Sequence, residues 1–433
     1  MIQTTIFDMI YQNYKIDKPI RLIELFAGYG SQALALKYLG VPFEHWKICE
    51  WAVKSIQAYK DIHFTDDNTD YSEKYNKDYL INYLHYKGIS SNYNEPMDKS
   101  HIKKLNEQQI RTIYNNIQAT HNLVNIQQVK GEDLEITDPE KYCYIMCYSF
   151  PCQDLSLAGK RQGMSTTSTR SGMLWAVERI LDECKVGGEN HLPKILLMEN
   201  VPQVHGEGNV EDFNKWQLKL EQLGYKNYWE DLIATDYGIP QTRNRCFMIS
   251  ILGDYSYSFP PKQPLKLKLK DMLEDNVDEK YYLSDKMINF FRHNEEKQKE
   301  KGNGFSFNAT DGNVIAKTIT TRAGCRMDDN FISIPKVLGG IGEKDSSNNT
   351  QWKQQNRVYD DNVSISVTTS YNPYYKDDLR IRKLTPKECF RLMGVKDKDF
   401  EKVVKNQSNA SLYHLAGDSI VVNVLMAIFR MFL

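Results

Sequence analysis

Several things are scarce in this sequence, and each scarcity removes a class of protein. No stretch approaches 18 uninterrupted apolar residues, so no membrane-spanning helix is expected. The opening M-I-Q-T-T-I-F-D-M-I lacks a charged start and a long apolar run, so no signal peptide is read there. A cytoplasmic chain with no membrane partner is the expectation. The eight cysteines, at 49, 143, 147, 152, 184, 246, 325 and 389, form no C-x-x-C pair. Neither a zinc site nor a disulfide framework is indicated, and no metal ligand is assigned. Cysteines within apolar, strand-like runs fit a reducing compartment. An excess of either charge is also missing, with 55 Lys and Arg against 56 Asp and Glu. Any nucleic-acid surface is therefore a local patch.

What is present is enough for two or three domains: 433 residues, 41% hydrophobic. Residues 20–26 read as a strand that runs into Ala27-Gly28-Tyr29-Gly30-Ser31-Gln32, and 33–39 as a helix closed by Gly40. Glycines let the backbone approach a ligand, and the helix start offers N–H groups. About twenty residues past Gly30, Glu50 ends a second strand over 43–49. An acidic residue there commonly binds ribose hydroxyls, and Trp51 is placed to lie against a base. A tight structural turn also produces G-x-G; the spacing to Glu50 favours a nucleoside-type cofactor.

Two further strand ends carry chemistry. Residues 144–148 form an apolar run stopped by Pro151, with Cys152 next. Open α/β sheets hold their sites at the carboxyl edge. Most cysteines are inert small hydrophobes, but Gln153 and Asp154 follow this one, and Lys160 and Arg161 favour a thiolate. Residues 194–198 form a second apolar run, ending in Glu199-Asn200-Val201-Pro202. A carboxyl emerging from such a run is buried, its pKa is raised, and it suits proton donation. Between strands at 225–232 and 246–251 lies Gln241-Thr242-Arg243-Asn244-Arg245, which also fits a surface hairpin with solvated arginines.

Taken in order, F-A-G-x-G from Phe26, Pro151-Cys152-Gln153 with Ser156 and Gly159, Glu199-Asn200-Val201, Q-x-R-x-R, the R-x-L-T-P-x-E run at 382–388 and Gly417-Asp418-Ser419-Ile420 resemble the motifs of the C5-cytosine DNA methyltransferases of bacterial or phage restriction–modification type. The resemblance runs from about residue 20 to the end. It implies an α/β fold: a Rossmann-like S-adenosylmethionine-dependent methyltransferase domain with a smaller, irregular, mostly β target recognition domain. The expected boundaries are 1–255 for the catalytic domain, 256–400 for the recognition domain and hinge, and 401–433 for a return to the catalytic domain.

The resemblance further implies methyl transfer from S-adenosyl-L-methionine, leaving S-adenosyl-L-homocysteine, to C5 of a flipped cytosine in a specific double-stranded DNA sequence. Cys152 is then the nucleophile at C6, Glu199 the donor to N3, and Arg245 the contact to O2, with Arg243 supporting its loop. Cofactor contacts carry over to Phe26, Gly28, Gly30, Glu50, Trp51, Asp133 (accepting from the adenine amino group), Leu134, Pro151, Met173, Asp418 and Ser419. Ser31 stands where many members have a third Gly, and Asp418 replaces the common Asn. The 153–164 loop is expected to close over a base that must leave the stack. Expected partners are the DNA and a restriction endonuclease acting separately; a monomer is expected. A tRNA-directed relative predicts a shorter segment between Arg245 and Arg380, and a silent relative the loss of Cys152 or Glu199.

Other stretches are less marked. Residues 66–125 look inserted, where the family makes a far shorter connection. Two amphipathic helices are expected there, at 70–88 and 101–117, with a stripe of Tyr71, Tyr75, Tyr79 and Tyr83 read as packing rather than nucleic-acid stacking. A third strand is expected at 123–129, and helices at 172–184, 213–223 and 285–299. Past Pro260-Pro261 the strand–helix alternation ends and Lys262, Lys266, Lys268 and Lys270 form a basic run. The similar segments 313–321 and 362–369 read as strands with polar loops, with Arg322, Arg326, Arg357, Asn372 and Tyr374 nearby for phosphate and base-edge contact. Thr385 caps a helix that starts at Pro386 with Glu388 in its first turn.

Overall fold

The alternating apolar runs become a six-stranded sheet in the computed structural model, which describes residues 12–150, 173–188, 191–335, 339–340, 357–358 and 379–433. Its strands are β1 (Ile20–Leu25), β2 (Phe43–Cys49), β3 (Cys143–Tyr148), β4 (Ile195–Asn200), β5 (Tyr225–Ile233) and β6 (Asn244–Leu252). The order is β2-β1-β3-β4-β6-β5, parallel except for β6. The chain leaves β1 on one side and returns to β3 on the other. This reversal opens a crevice at the carboxyl ends of β1 and β3, where such sheets bind ligands. Because β6 runs against β4, its first residues lie where β4 ends, with Glu199 opposite Phe247.

The central strands β3 and β4 are buried on both faces because both faces are covered. In β3, Cys143, Ile145 and Cys147 join one core while Tyr144, Met146 and Tyr148 join the other. Helices α1 (Ser31–Leu39) and α2 (Val53–His63) follow β1 and β2; α3 (Lys77–Lys87), α4 (Lys99–Lys104) and α5 (Glu107–Ala119) form the insert; α6 (Leu174–Val186) and α7 (Val210–Gln222) cover the second face. Beyond the sheet come α8 (Asp285–Glu300), α9 (Pro386–Leu392), α10 (Asp397–Val403), α11 (Asn409–Gly417) and α12 (Val422–Arg430). The apolar stretch 409–430 has the length and hydropathy of a membrane span, but it is interrupted at Asp418 and its most apolar window is 78% buried within the fold.

The insert differs from expectation for reasons of capping. Asn76 accepts from the Tyr79 N–H and starts α3 there, while the Asp70 carboxylate turns the chain back at Ser72. The expected single helix at 101–117 is two, because Asn106 and Gln109 form a reciprocal capping box that begins α5 afresh. Leu80, Leu84, Ile102, Ile110 and Ile117 then build a separate small core against Ile56 of α2.

The expected strand at 123–129 does not form. Only a single bridge joins Ile48 to Asn122. The Asn122 amide bonds the N–H and C=O of Glu50 at 3.0 and 2.9 Å and accepts from the Val124 N–H at 2.9 Å. Val124 then adopts φ 73°, which turns the chain off the sheet.

The stretch 256–400, where a recognition domain is expected, has few strands among the described residues. Strands β7 (Ala309–Thr310) and β8 (Phe331–Pro335) pair in parallel, β9 (Gly339–Gly340) pairs with β10 (Arg357–Val358), and β11 (Leu379–Lys383) pairs with β8. Segment 313–321 is not a strand; it lies against the catalytic body through Ala316, which pairs with Gln241, and through Ile319, whose N–H donates to the Gln241 side chain at 2.8 Å. Its counterpart 362–369, with Asn372 and Tyr374, lies outside the described residues. The R-x-L-T-P-x-E run closes on itself: Arg382 meets Glu388 through two 2.8 Å bonds, both side chains fully buried, and Glu388 also accepts from the Thr385 N–H. Leu384, Phe390, Leu392 and Phe400 share the core of α1 and α12.

Candidate active site

A cavity of about 320 Å³ opens beyond the carboxyl ends of β1, β2, β3 and β4. That is the size of a nucleoside-type site. Its floor is the glycine turn after β1, where Phe26 and Gly28 both have positive φ. A Cβ on Gly28 would meet nothing within 4 Å. Gly30 does something else. It caps α1 away from the cavity wall, and a Cβ there would lie 2.4 Å from the His63 ring and 2.7 Å from Tyr59. It serves close packing of the turn on α2, and it is not among the residues that line the cavity.

Glu50 locks this turn to β2. Its carboxylate accepts from the Gly28 N–H at 2.9 Å and the Ala52 N–H at 2.7 Å. Burial lifts its pKa to about 7 against the pull of those backbone bonds. Each oxygen keeps a lone pair for the hydroxyls of a ribose. Trp51, Met173 and Ser419 line the same cavity, as does Asp418, which is otherwise exposed. The Tyr29 hydroxyl donates to Ser419 at 2.8 Å, which joins the glycine turn to the C-terminal segment.

Asp133 and Leu134 do not line the cavity. Asp133 caps its own short turn by accepting from the Lys130 N–H at 2.8 Å. Leu134 is core, with its carbonyl accepting from the Trp46 indole at 2.8 Å. Val124, Asn125, Ile126 and Gln127 occupy that wall instead. The apolar pattern of 123–129 predicts a strand and so does not mark them as cavity residues. The wall also holds Tyr93, Asn94 and Pro96 of the insert and His414 of α11, which no motif marks.

The second chemical centre sits where β4 meets β6. Glu199 is buried, and its Oε1 lies 3.0 Å from Arg245 Nε. Burial raises its pKa above the ordinary carboxylate range, and the guanidiniums of Arg245 and Arg243 oppose that rise. Arg243 is a bracket. It donates to the carbonyls of Ile319 at 3.1 Å, Gly417 at 3.2 Å and Ser419 at 2.7 Å, tying β6 to both flanking segments. Asn200 donates to the Phe150 carbonyl at 3.1 Å and so fixes the chain one residue before Pro151. Pro151, Cys152 and the 153–164 loop lie outside the described residues.

The side chains present fit an adenosyl cofactor. A carboxylate anchored for a diol and aromatic rings at Phe26 and Trp51 surround one cavity.

A family model described as C-5 cytosine-specific DNA methylase matches residues 85–432. The type II methyltransferase M2.ScrFI of Lactococcus lactis subsp. cremoris is 33% identical over 417 residues, covering 95% of this chain and 98% of that one. The orphan methyltransferase M.SssI of Spiroplasma monobiae is 31% identical over 420 residues, covering 95% and 96%. The crystal structure of the S. pombe Dnmt2 methyltransferase aligns with a TM-score of 0.56 at 15% identity, over 95% of this chain and 98% of that one. The Entamoeba histolytica methyltransferase EhMeth aligns with the same score and identity over 96% and 98%. At such identities the two structures speak to the fold.

Proposed function

The chain belongs to the C-5 cytosine-specific DNA methylases, and from that premise we propose that it uses S-adenosylmethionine to methylate C5 of a flipped cytosine in a specific double-stranded DNA sequence, through a covalent Cys152–C6 adduct. The observation that carries this is the buried Glu199–Arg245 pair, 3.0 Å apart, on the wall of the cavity that also holds Glu50 and the glycine turn.

Cytosine C5 is a weak nucleophile. Addition of the Cys152 thiolate to C6 breaks the 5,6 double bond and moves electron density to C5 and to the N3–O2 edge. Glu199, whose pKa is raised by burial, donates a proton to N3. Arg245 meets the charge developing at O2 with donors already in place. S-adenosylmethionine, when bound, supplies the methyl group as an electrophile. Loss of the C5 proton then lets the ring expel the thiolate and regain aromaticity. On this chain Glu50 would hold the ribose, and Phe26, Trp51 and Ile126, which line the same cavity, would pack against the cofactor. Asn200 holds the carbonyl of Phe150, the residue before Pro151. A target inside a duplex is out of reach of these groups, so it is flipped into the cavity.

A covalent trap tests this. DNA containing 5-fluorocytosine cannot lose its C5 substituent, so the adduct persists through denaturation. Wild-type protein with S-adenosylmethionine is expected to form it and Cys152→Ser is not. Absence of an adduct from the wild type on a pool of duplex sequences overturns the proposal.

A further inference from the structure

On the face of β6 turned away from Arg245, three donor atoms of different kinds converge. His205 comes from the short turn 202–205 after β4, Asp231 from β5 and Cys246 from β6. Their imidazole nitrogen, carboxylate oxygen and sulfur lie within 4.8 Å of one another. The register of the sheet makes this convergence. Asp231 pairs directly with Cys246 across β5 and β6, and Cys246 stands opposite Asn200 of β4. Successive strand residues point to opposite faces, so Cys246 packs in the second core while its neighbour Arg245 turns to Glu199. None of the three lines the nucleoside cavity.

Cys246 is fully buried and forms the floor of the cluster, while His205 and Asp231 are partly exposed and leave solvent a way in. The rings of Trp229 and Phe213, 4.6 and 6.2 Å away, flank the imidazole. His205 Nε2 and Asp231 Oδ1 are 3.0 Å apart. Burial and the carboxylates of Asp231 and Glu199 push the Cys246 thiol far above its ordinary pKa. An ion pair of His205 with Asp231 accounts for two of the groups and gives the sulfur no cationic partner. A zinc-class ion accounts for all three. It binds nitrogen, oxygen and sulfur tetrahedrally at about 2.0–2.3 Å, which sets the donors roughly 3.3–3.6 Å apart. The 3.0 Å His205–Asp231 separation and the 4.8 Å outer limit bracket that range. A carboxylate and a thiolate together cancel the charge of a divalent ion, and the thiol proton leaves to solvent on binding.

We propose that His205, Asp231 and Cys246 form a divalent transition-metal site of the zinc class, with a solvent molecule as the fourth ligand. Metal there would join the exit of β4 to β5 and β6, at the strand ends that present Glu199 and Arg245, and so brace the catalytic pair from behind without touching substrate. Positions 205, 231 and 246 share no short spacing, so no motif announces the site. It stands or falls independently of the methyl-transfer reading.

The test is a Co²⁺ titration of the full chain, free of any histidine tag and stripped of metal with a chelator, followed by absorbance. Tetrahedral Co²⁺ with a thiolate ligand gives visible d–d bands and a near-ultraviolet sulfur-to-cobalt band. Both are expected to saturate at a single equivalent and to vanish on addition of Zn²⁺. His205→Gln, at a partly exposed side chain, is expected to bind Co²⁺ about 100-fold more weakly, since losing even an outer partner of a ligand costs about 10–100-fold. Cys246→Ser is expected to lose the sulfur band, and Cys325→Ser, which alters an exposed cysteine, to keep it. Zn²⁺ should raise the unfolding midpoint of the wild type and not that of His205→Gln. Absence of the bands from the wild type, undiminished affinity in His205→Gln, a sulfur band that persists in Cys246→Ser, or one lost with Cys325→Ser overturns the proposal and leaves an ion pair beside a buried thiol.

Discussion

The cavity has two walls of different construction. The inner wall is the carboxyl edge of the sheet, and its polar groups are tied down: Glu50 by two backbone N–H groups, Glu199 by Arg245, Asn200 by the Phe150 carbonyl. The outer wall is assembled from the insert and α11 and meets through a ring stack of Tyr93 on His414. The difference is what chemistry and binding each require. Groups that must meet developing charge are best fixed beforehand, because they then cost no reorganisation at the moment of reaction.

The sharpest break between the walls is expected at Glu199. Glu199→Gln preserves shape and loses the proton to be donated, so kcat should fall by roughly 10²–10⁴, while affinity for S-adenosylhomocysteine stays within a few-fold. A parallel fall in nucleoside affinity would mean that the walls do not act separately. In the wild type, the raised pKa of Glu199 predicts that kcat declines as pH rises through it, beyond the ordinary carboxylate range.

Next in size is an effect beneath the glycine turn. Glu24 of β1 is fully buried, accepting from the Tyr59 hydroxyl at 2.6 Å and the Ala33 N–H at 3.2 Å, and burial lifts its pKa from 4.5 to about 7. A raised folded-state pKa contributes stability that is complete below pH 4.5 and lost as pH climbs through about 7. The loss is on the order of 3 kcal/mol. Glu24→Gln stays neutral throughout and should flatten the decline in unfolding midpoint over that interval; an unchanged slope would place the titration elsewhere.

The two glycines of the turn give a smaller contrast. Gly30→Ala combines φ 83° with contacts of 2.4 and 2.7 Å on α2, and should cost about 2–3 kcal/mol in denaturant unfolding. Gly28→Ala enters open space at the cavity, so it should cost about 1–2 kcal/mol and show itself mainly in weaker nucleoside binding. Equal effects of both on binding would return Gly30 to the ligand site.

The smallest effect concerns the far side of the insert. Tyr79, 44% exposed, stacks on Tyr75 at 4.2 Å. Tyr79→Ala should lower stability by about 0.5–1 kcal/mol and leave DNA affinity, measured by fluorescence anisotropy, unaltered. A clear loss of DNA affinity would make the tyrosine stripe a nucleic-acid surface rather than packing behind the outer wall.

The sequence alone determined the order of strand, turn and helix and the chemical groups at the strand ends. Burial on both faces writes continuous apolar runs, and Glu199 stands directly at the end of one, while Glu50 follows the mixed strand over 43–49. It also announced α9, because a capping box is local and Thr385 and Glu388 lie within one turn. Tertiary structure alone decided the rest. Asn122 replaces a strand with side-chain bonds to Glu50, so a run that looks like β structure becomes the cavity wall at Asn125 and Ile126, and Asp133 is left to cap its own turn. The stack of Tyr93 on His414 has no periodicity to betray it. It exists because a turn hung from Trp51 and a helix near the C-terminus are packed around the same sheet edge, and that proximity is a property of the folded chain.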